Sequence, residues 1–136
     1  YGAPASEATS TLNPASDDDV VVNTPTDYGN SYPVGQCTWG VKELAPWASN
    51  WWGNANTWAI YASSQGYRVG DVPVVGAIAV WDGGEYGHVA YVTDVQSENS
   101  IQVLEANYRR QKQIANYRGF FNPHEFLGKV TYIYPN

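Results

Sequence analysis

The chain has no methionine, a single cysteine and only seven basic residues among its 136. The one thiol, at Cys37, cannot form an intrachain disulfide, so no disulfide framework holds the fold. No apolar run approaches the ~20 residues that a membrane-spanning helix requires, and no signal peptide is recognisable. The absence of methionine even at position 1 favours a processed chain or an excised piece of a longer protein.

Acidic residues outnumber basic ones, but they are concentrated at one end. The formal net charge is −6, and residues 1–27 carry five acidic and no basic residues, so residues 28–136 are nearly neutral. No basic face large enough to bind a nucleic-acid backbone is expected, which excludes nucleic acid as a partner. Four basic residues cluster, and we interpret them as a solvated loop, with contact to an acidic substrate group as the alternative: Arg109, Arg110, Lys112 and Arg118.

The composition divides the chain into two parts. Residues 1–27 are rich in Ala, Ser, Thr, Pro, Asn and Asp, with Val20–Val22 as the only sizeable apolar run. We therefore predict a flexible acidic linker or tail over 1–27 and one folded domain over 28–136.

Local patterns predict an α+β domain. Helical spacing begins at Cys37 and ends before Pro46, and a second helix is predicted around Trp58 and stopped by Gly66. Four strand patterns follow, at residues 77–81, 88–96, 101–108 and 130–134. Helices followed by closely spaced antiparallel strands indicate helices packed on an antiparallel sheet.

Cys37 lies at the predicted start of the first helix, between Gln36 and Thr38. The backbone N–H groups and dipole of a helix N-terminus favour the thiolate, which is the form that attacks carbonyl carbons. A lone cysteine is more often a small core residue, but polar neighbours on both sides are unusual for that role. We therefore treat Cys37 as a candidate nucleophile.

A candidate base and its orienting groups follow along the chain. His88 begins one predicted strand, and Glu105 and Asn107 lie near the end of the next, on one face and ~7 Å apart. If the turn at residues 97–99 makes an antiparallel hairpin, His88 lies near Glu105 or Asn107. Either side chain can fix the imidazole tautomer and leave the other ring nitrogen for Cys37. Taken alone, His88 would more often be a half-buried sheet residue.

These groups are sufficient for amide hydrolysis through a thioester. His88 takes the proton of Cys37, the thiolate attacks an amide carbonyl, and His88 protonates the leaving amine before water hydrolyses the thioester. The Gln36 side-chain amide and the Cys37 backbone N–H are candidates for the oxyanion site, where one donor typically contributes about 3 kcal/mol.

No metal or other cofactor is expected. One cysteine and two distant histidines lack the paired spacing of a zinc site. The run Asp17–Asp19 lacks the alternating ligands and the turn glycine of a calcium loop, so an acidic tail is the preferred interpretation. The second histidine, His124, is interpreted as a surface loop residue or helix cap.

Four stretches resemble the CHAP family, the cysteine- and histidine-dependent amidohydrolases and peptidases of bacterial and phage cell-wall lysis. They lie at residues 32–39, 73–81, 86–92 and 101–108, in the family's order, and the resemblance spans roughly residues 30–135. Their combination is specific, whereas the Gly87-His88 pair alone is not. Within the family they are most similar to the PcsB-like secreted peptidoglycan hydrolases of streptococci.

The resemblance implies a papain-like (NlpC/P60-type) α+β fold, with the nucleophile on the first helix and the base on the sheet. It implies these site residues: Cys37 as nucleophile, His88 as base, Glu105 as its orienting partner, Asn107 as a fourth polar member and Gln36 at the oxyanion site. Tyr86 and Tyr108 are further candidates for contact with the substrate. The calcium that some phage members bind before the nucleophile is not implied, because residues 27–31 contain one acid.

The substrate that the resemblance implies is the peptide part of peptidoglycan, outside the cell. Cleavage would fall within the stem peptide or between muramic acid and L-alanine, and the rest of a longer parent chain is a candidate regulator. Two alternatives stay open. A non-catalytic wall- or glycan-binding module would use surface aromatics such as Trp47, Trp51 and Trp52, although aromatic side chains more often belong to the core. An acyltransferase would use the same three groups.

Overall fold

The computed structural model describes residues 29–136, so the predicted linker over 1–27, with Val20–Val22 and Asp17–Asp19, lies outside the described residues. The described elements, in chain order, are helix α1 (Cys37–Leu44), a 3₁₀ turn (Ala55–Thr57), helix α2 (Trp58–Ser64), strands β1 (Val69–Gly70), β2 (Ile78–Trp81), β3 (His88–Ser97) and β4 (Ser100–Leu104), a second 3₁₀ turn (Pro123–Glu125) and strand β5 (Val130–Ile133).

Helix α1 places its first turn in the core. It begins at Cys37 because Gln36 is still extended, with φ −83° and ψ 161°. It ends before Pro46, since proline cannot continue a helix, and the Lys42 ammonium donates to the carbonyl oxygens of Pro46 and Ala48 just beyond its end. The first five residues of α1 are all buried, so the helix presents its N-terminus to the protein interior.

The strands form one antiparallel sheet in the order β1-β5-β2-β3-β4. In the β2–β3 pair, Trp81 lies opposite His88. In the β3–β4 hairpin, Tyr91 pairs with Leu104. Because the two strands run in opposite directions, the start of β3 and the residues that follow β4 lie at the same end of the sheet.

Two apolar clusters pack on opposite faces of this sheet. Along the fully buried strand β2, Ile78 and Val80 face the helices, while Ala79 and Trp81 face the other cluster. The helix side is rich in aromatic rings, and the fully buried Trp52 and Trp58 meet edge to face, with ring centroids 5.3 Å apart. Such a pair contributes about 1 kcal/mol beyond the area that it buries.

The predicted α+β architecture, with helices packed on an antiparallel sheet, is confirmed. Two details of the strand prediction are wrong. Strand β4 ends at Leu104 rather than at Tyr108, because Asn107 has a left-handed backbone with φ 58° that breaks the extended repeat. The sequence also does not predict the edge strand β1, since two residues are too short for an alternation signal.

Candidate active site

The Cys37 thiol, at the first position of α1, is fully buried and hydrogen-bonded to the ring of His88. Burial raises the pKa of the thiol. The positive charge of His88 and its hydrogen bond oppose burial, and the pKa of Cys37 lies below its ordinary value. The thiolate is therefore more populated here than it is in a free cysteine.

A close helix contact brings Cys37 to this position. A Cβ atom added at Gly40, one turn along α1, would lie 2.9 Å from the Cβ of Ala106. Real Cβ atoms do not approach so closely, so glycine at position 40 allows α1 to lie directly against the segment that follows β4. That segment carries Glu105.

His88 is the first residue of β3, and it is 6% exposed. Its Nε2 lies 2.9 Å from Oε1 of Glu105, which leaves Nδ1 as the ring nitrogen for the thiol. Gly87, just before it, has φ 76°, and a Cβ there would lie 2.6 Å from the Trp81 carbonyl oxygen. The close approach that glycine permits holds the start of β3, and with it the imidazole, against β2.

The negative charge of the Cys37 thiolate and the positive charge of the His88 imidazolium stabilise each other. Burial lowers the pKa of His88, but the negative charge of the Cys37 thiolate and the contact with Glu105 raise it, and the pKa lies above its ordinary value. The thiol pKa is lowered and the imidazole pKa is raised by the same interaction. The arrangement therefore favours a thiolate–imidazolium pair.

Glu105 is the residue after β4, and it is fully buried. Its backbone forms a bridge with Ala115, with both N–H···O distances 3.0 Å, which fixes where the carboxylate stands. Burial raises the pKa of this carboxyl, but hydrogen bonds from Arg118 and His88 leave the pKa lowered overall. The carboxylate is therefore ionised at neutral pH.

Arg118 is a residue of this candidate site that sequence reasoning missed. The interpretation of Arg118 as part of a solvated loop is wrong, because its side chain is only 8% exposed. Its Nε donates to Oε2 of Glu105 at 2.9 Å, and a terminal nitrogen donates to Oε1 at 2.6 Å. No local signal marks it, since its partner lies 13 positions earlier in the chain. The aromatic-rich stretch that follows Glu105 was the only hint available.

Asn107 does not stand beside His88. Its left-handed backbone turns the side chain away from the strand direction, and Nδ2 donates to Oε1 of Gln36 at 2.9 Å. The Lys112 ammonium in turn donates to Oδ1 of Asn107 at 3.0 Å. The structure therefore gives Glu105 and Asn107 different partners, the imidazole for Glu105 and the candidate oxyanion residue Gln36 for Asn107.

A cavity of about 760 Å³ opens beside this chain of groups. His88 and Asn107 line it, as do Tyr86 and Tyr108, the two tyrosines expected to contact substrate. Acidic, basic and aromatic side chains complete the wall, among them Glu85, Arg109, Arg118, Glu125 and Phe126. The cavity can therefore take an extended polar ligand next to the imidazole.

The other residues considered as functional candidates from the sequence do not lie together. Of the three tryptophans considered as sugar platforms, Trp52 is buried and Trp47 is half-buried and stacked on Tyr67, while Trp51 is 74% exposed. His124 is exposed in the second 3₁₀ turn, where the Asn122 side chain accepts a hydrogen bond from its backbone N–H. These positions give little support to a glycan platform built from several rings.

Within residues 29–136, no three His, Cys, Asp or Glu side chains converge to form a metal site. Over the same range, no helix has the length and apolar character needed to cross a bilayer.

An α+β fold that places a thiol, an imidazole and a buried carboxylate in series is that of a papain-like domain. Comparison with known families makes this specific. The chain belongs to the CHAP domain family, whose family model matches residues 27–107. Arg118 lies outside the matched range.

Known proteins and structures agree with this assignment. The chain is 58% identical over 109 residues to a protein of Streptococcus mutans serotype c that is named only in general terms, as a hydrolase, with 79% of this chain and 52% of that protein covered. It is 43% identical over 96 residues to the N-acetylmuramoyl-L-alanine amidase sle1 of Staphylococcus haemolyticus, with 68% and 29% covered. The crystal structure of N-acetylmuramoyl-L-alanine amidase from Staphylococcus aureus superposes with a TM-score of 0.66 at 30% identity, covering 77% of this chain and 31% of that one. The chain thus spans about half, or less, of these relatives.

Proposed function

We propose that this domain hydrolyses an amide bond in the peptide part of peptidoglycan, with Cys37 as nucleophile and His88 as acid–base. The observation that carries the proposal is the unbroken series from the Cys37 thiol through the His88 ring to the Glu105 carboxylate. Two relatives named as N-acetylmuramoyl-L-alanine amidases support the substrate class. Staphylococcal secretory antigens among the relatives support action outside the cell, at the wall.

The reaction starts from the thiolate–imidazolium pair. The Cys37 thiolate attacks the carbonyl carbon, forming a C–S bond and placing negative charge on the carbonyl oxygen. The His88 imidazolium donates its Nδ1 proton to the leaving nitrogen as the C–N bond breaks, which leaves a thioester and a neutral imidazole. A water molecule then gives one proton to His88 while its oxygen attacks the thioester, and the broken C–S bond restores the thiolate.

Glu105 has a supporting role in these steps. Its carboxylate accepts the hydrogen bond of Nε2, at 2.9 Å, so that this nitrogen keeps its proton while Nδ1 exchanges one. The same negative charge stabilises the imidazolium whenever it forms.

Gln36 and the backbone N–H of Cys37 are proposed to stabilise the oxyanion. The oxygen of the Gln36 side chain accepts from Asn107, so its NH₂ group is the part left to donate to the substrate. Asn107 thus fixes the orientation of the Gln36 amide rather than that of the imidazole. A donor held in place before the reaction is worth more than one that must be ordered during it.

The cavity beside His88 is proposed to hold the peptide on one side of the scissile bond. Tyr86 and Tyr108 offer flat surfaces and hydroxyl groups to an extended chain. The names of the two amidase relatives favour the bond between muramic acid and L-alanine over bonds within the stem peptide.

The deciding experiment is mass spectrometry of the muropeptides that the protein releases from purified cell walls. We expect new amine and carboxyl ends from the wild type and none from Cys37→Ala, with an unchanged circular dichroism spectrum. His88→Gln should also be inactive, while His124→Gln, at the exposed second histidine, serves as the matched control and should keep wild-type activity. Release of the same products by Cys37→Ala would contradict the proposal. Products that carry an added competing amine would indicate acyl transfer.

A further inference from the structure

Arg118 occupies a position that a loop arginine does not normally take. Its guanidinium carbon lies 4.0 Å, 4.1 Å and 4.2 Å from the ring centroids of Phe126, Phe121 and Tyr108. Removing a guanidinium from water carries a large desolvation cost, which aromatic faces offset only in part. The remaining compensation comes from Glu105, which receives two hydrogen bonds in the fork geometry that suits a carboxylate.

The buried groups of the site balance in charge only when Arg118 is counted. In the thiolate–imidazolium state, Cys37 and Glu105 are negative, and His88 and Arg118 are positive, so the sum is zero. Without Arg118 the same state would leave one uncompensated negative charge in the protein interior, which favours uptake of a proton. The proton would go to the thiolate, because Glu105 keeps its hydrogen bond from the imidazolium.

We propose that Arg118 is a positioning residue of this active site, which orients Glu105 through two hydrogen bonds and keeps Cys37 ionised by balancing the charge of the buried cluster. Its effect on turnover rests on the proposed function, whereas its effect on Cys37 does not. The residue touches neither the thiol nor the imidazole in any contact described, so it acts through Glu105.

Other titratable groups around the cluster do not replace it. Tyr117 and Tyr108 stack with centroids 5.9 Å apart, and burial and the nearby Glu105 charge raise the pKa of Tyr117, so it stays neutral. Arg109 lies over the Tyr108 ring, 5.3 Å from its centroid, and is exposed. From the second 3₁₀ turn, His124 and Glu125 are both exposed to solvent, which screens their charges.

Lysine at this position separates charge from geometry. An ammonium group keeps the positive charge but has no planar fork, so it cannot make both Arg118 hydrogen bonds in the same plane. Arg118→Lys should therefore preserve the ionisation of Cys37 while losing the orientation of Glu105. Arg118→Gln should lose both.

The test uses NMR of the whole chain with ¹³Cβ-labelled cysteine, because the single cysteine yields one resonance that reports the protonation of Cys37. Arg68→Gln is the matched control. Arg68 also lies over an aromatic ring, that of Tyr134 at 5.2 Å, but beside β1, at the sheet edge opposite β4. Turnover on purified walls is measured in parallel.

We expect the titration midpoint of Cys37 to rise by about one pH unit or more in Arg118→Gln. It should stay within about 0.3 unit of wild type in Arg68→Gln and Arg118→Lys. Turnover should fall at least tenfold in Arg118→Lys, and guanidinium ion added to Arg118→Gln should lower the midpoint again.

A folded Arg118→Gln protein with an unchanged Cys37 midpoint would overturn the inference. So would a Cys37 midpoint in Arg118→Lys as high as the one in Arg118→Gln. If Arg118→Gln does not fold, Arg118→Lys decides, because wild-type turnover in that variant contradicts the orienting role. Failure of the wild type to act on walls would refute the proposed function instead, and the Cys37 midpoints would still test Arg118.

Discussion

Replacing Glu105 with glutamine removes one buried charge and almost no volume. The carboxylate is fully buried and receives hydrogen bonds from both His88 and Arg118. In Glu105→Gln, Arg118 becomes a buried cation without an anion, and breaking a buried pair in this way costs about 3–5 kcal/mol. The aromatic rings around Arg118 retain about 0.5–2 kcal/mol of its stabilisation. We therefore expect the free energy of unfolding to fall by about 3 kcal/mol.

The loss should depend on pH with a definite sign. The folded pKa of Glu105 is lowered, so its contribution is fully present above the unfolded pKa of about 4.3 and is lost as pH falls through the folded value. Below that value the wild type carries a neutral side chain at position 105, as the variant does. The stability difference between the two proteins should therefore stay nearly constant from neutral pH down to about the unfolded pKa of 4.3 and shrink only as the pH falls below that value.

Urea unfolding followed by tryptophan fluorescence measures this difference at pH 7 and at several acidic values. The control is Glu98→Gln, at an exposed position in the β3–β4 turn, which should change stability by less than about 0.5 kcal/mol. A Glu105→Gln loss below about 1 kcal/mol at pH 7, or one that stays constant on acidification, would refute the reasoning.

Three further predictions follow from the packing and charges of the site. Gly40→Val should destabilise the fold by about 1–3 kcal/mol because the valine side chain would meet Ala106. Thermal unfolding should show that Gly40→Ala also lowers the stability and that adding Ala106→Gly restores part of it. Equal stability of Gly40→Val, Gly40→Ala and the double variant would contradict the close contact. Because the pKa of Cys37 is lowered, its alkylation by iodoacetamide should stay fast at pH values well below the free-thiol pKa of about 8.5. Intact-protein mass spectrometry measures this rate. A rate that drops as the pH falls through about 8.5 would count against the ion pair. Asn107→Ala should lower kcat on wall substrate about tenfold with an unchanged alkylation profile, because it orients Gln36 and not the imidazole; an altered profile would contradict this.

The features of the site that could be predicted depend on residues that lie close together in the sequence. The polar neighbours of Cys37 and the break at Pro46 mark the two ends of one short helix, so the helix and its first residue could be predicted without coordinates. The β3–β4 hairpin was predictable in the same way, since a short turn separates two alternating strands and brings the start of one near the end of the other. His88 and Glu105 inherit their proximity from that hairpin.

The unpredicted part depends on segments that leave regular structure. Asn107 has a backbone that period-two reasoning does not allow, and it therefore binds Gln36 rather than joining His88. Arg118 looked like a solvated residue among three other basic ones. The loop after β4 folds back through the Glu105–Ala115 bridge and closes aromatic rings around its guanidinium.

The positions of the candidate nucleophile, base and carboxylate, and the helix and strands that carry them, could be predicted from the sequence alone, because hydrophobic periodicity and turn chemistry act over a few positions. The charge balance of the buried cluster and the hydrogen bond between Gln36 and Asn107 were decided only by tertiary packing. Both depend on desolvation, and a side chain leaves water only when distant segments close around it.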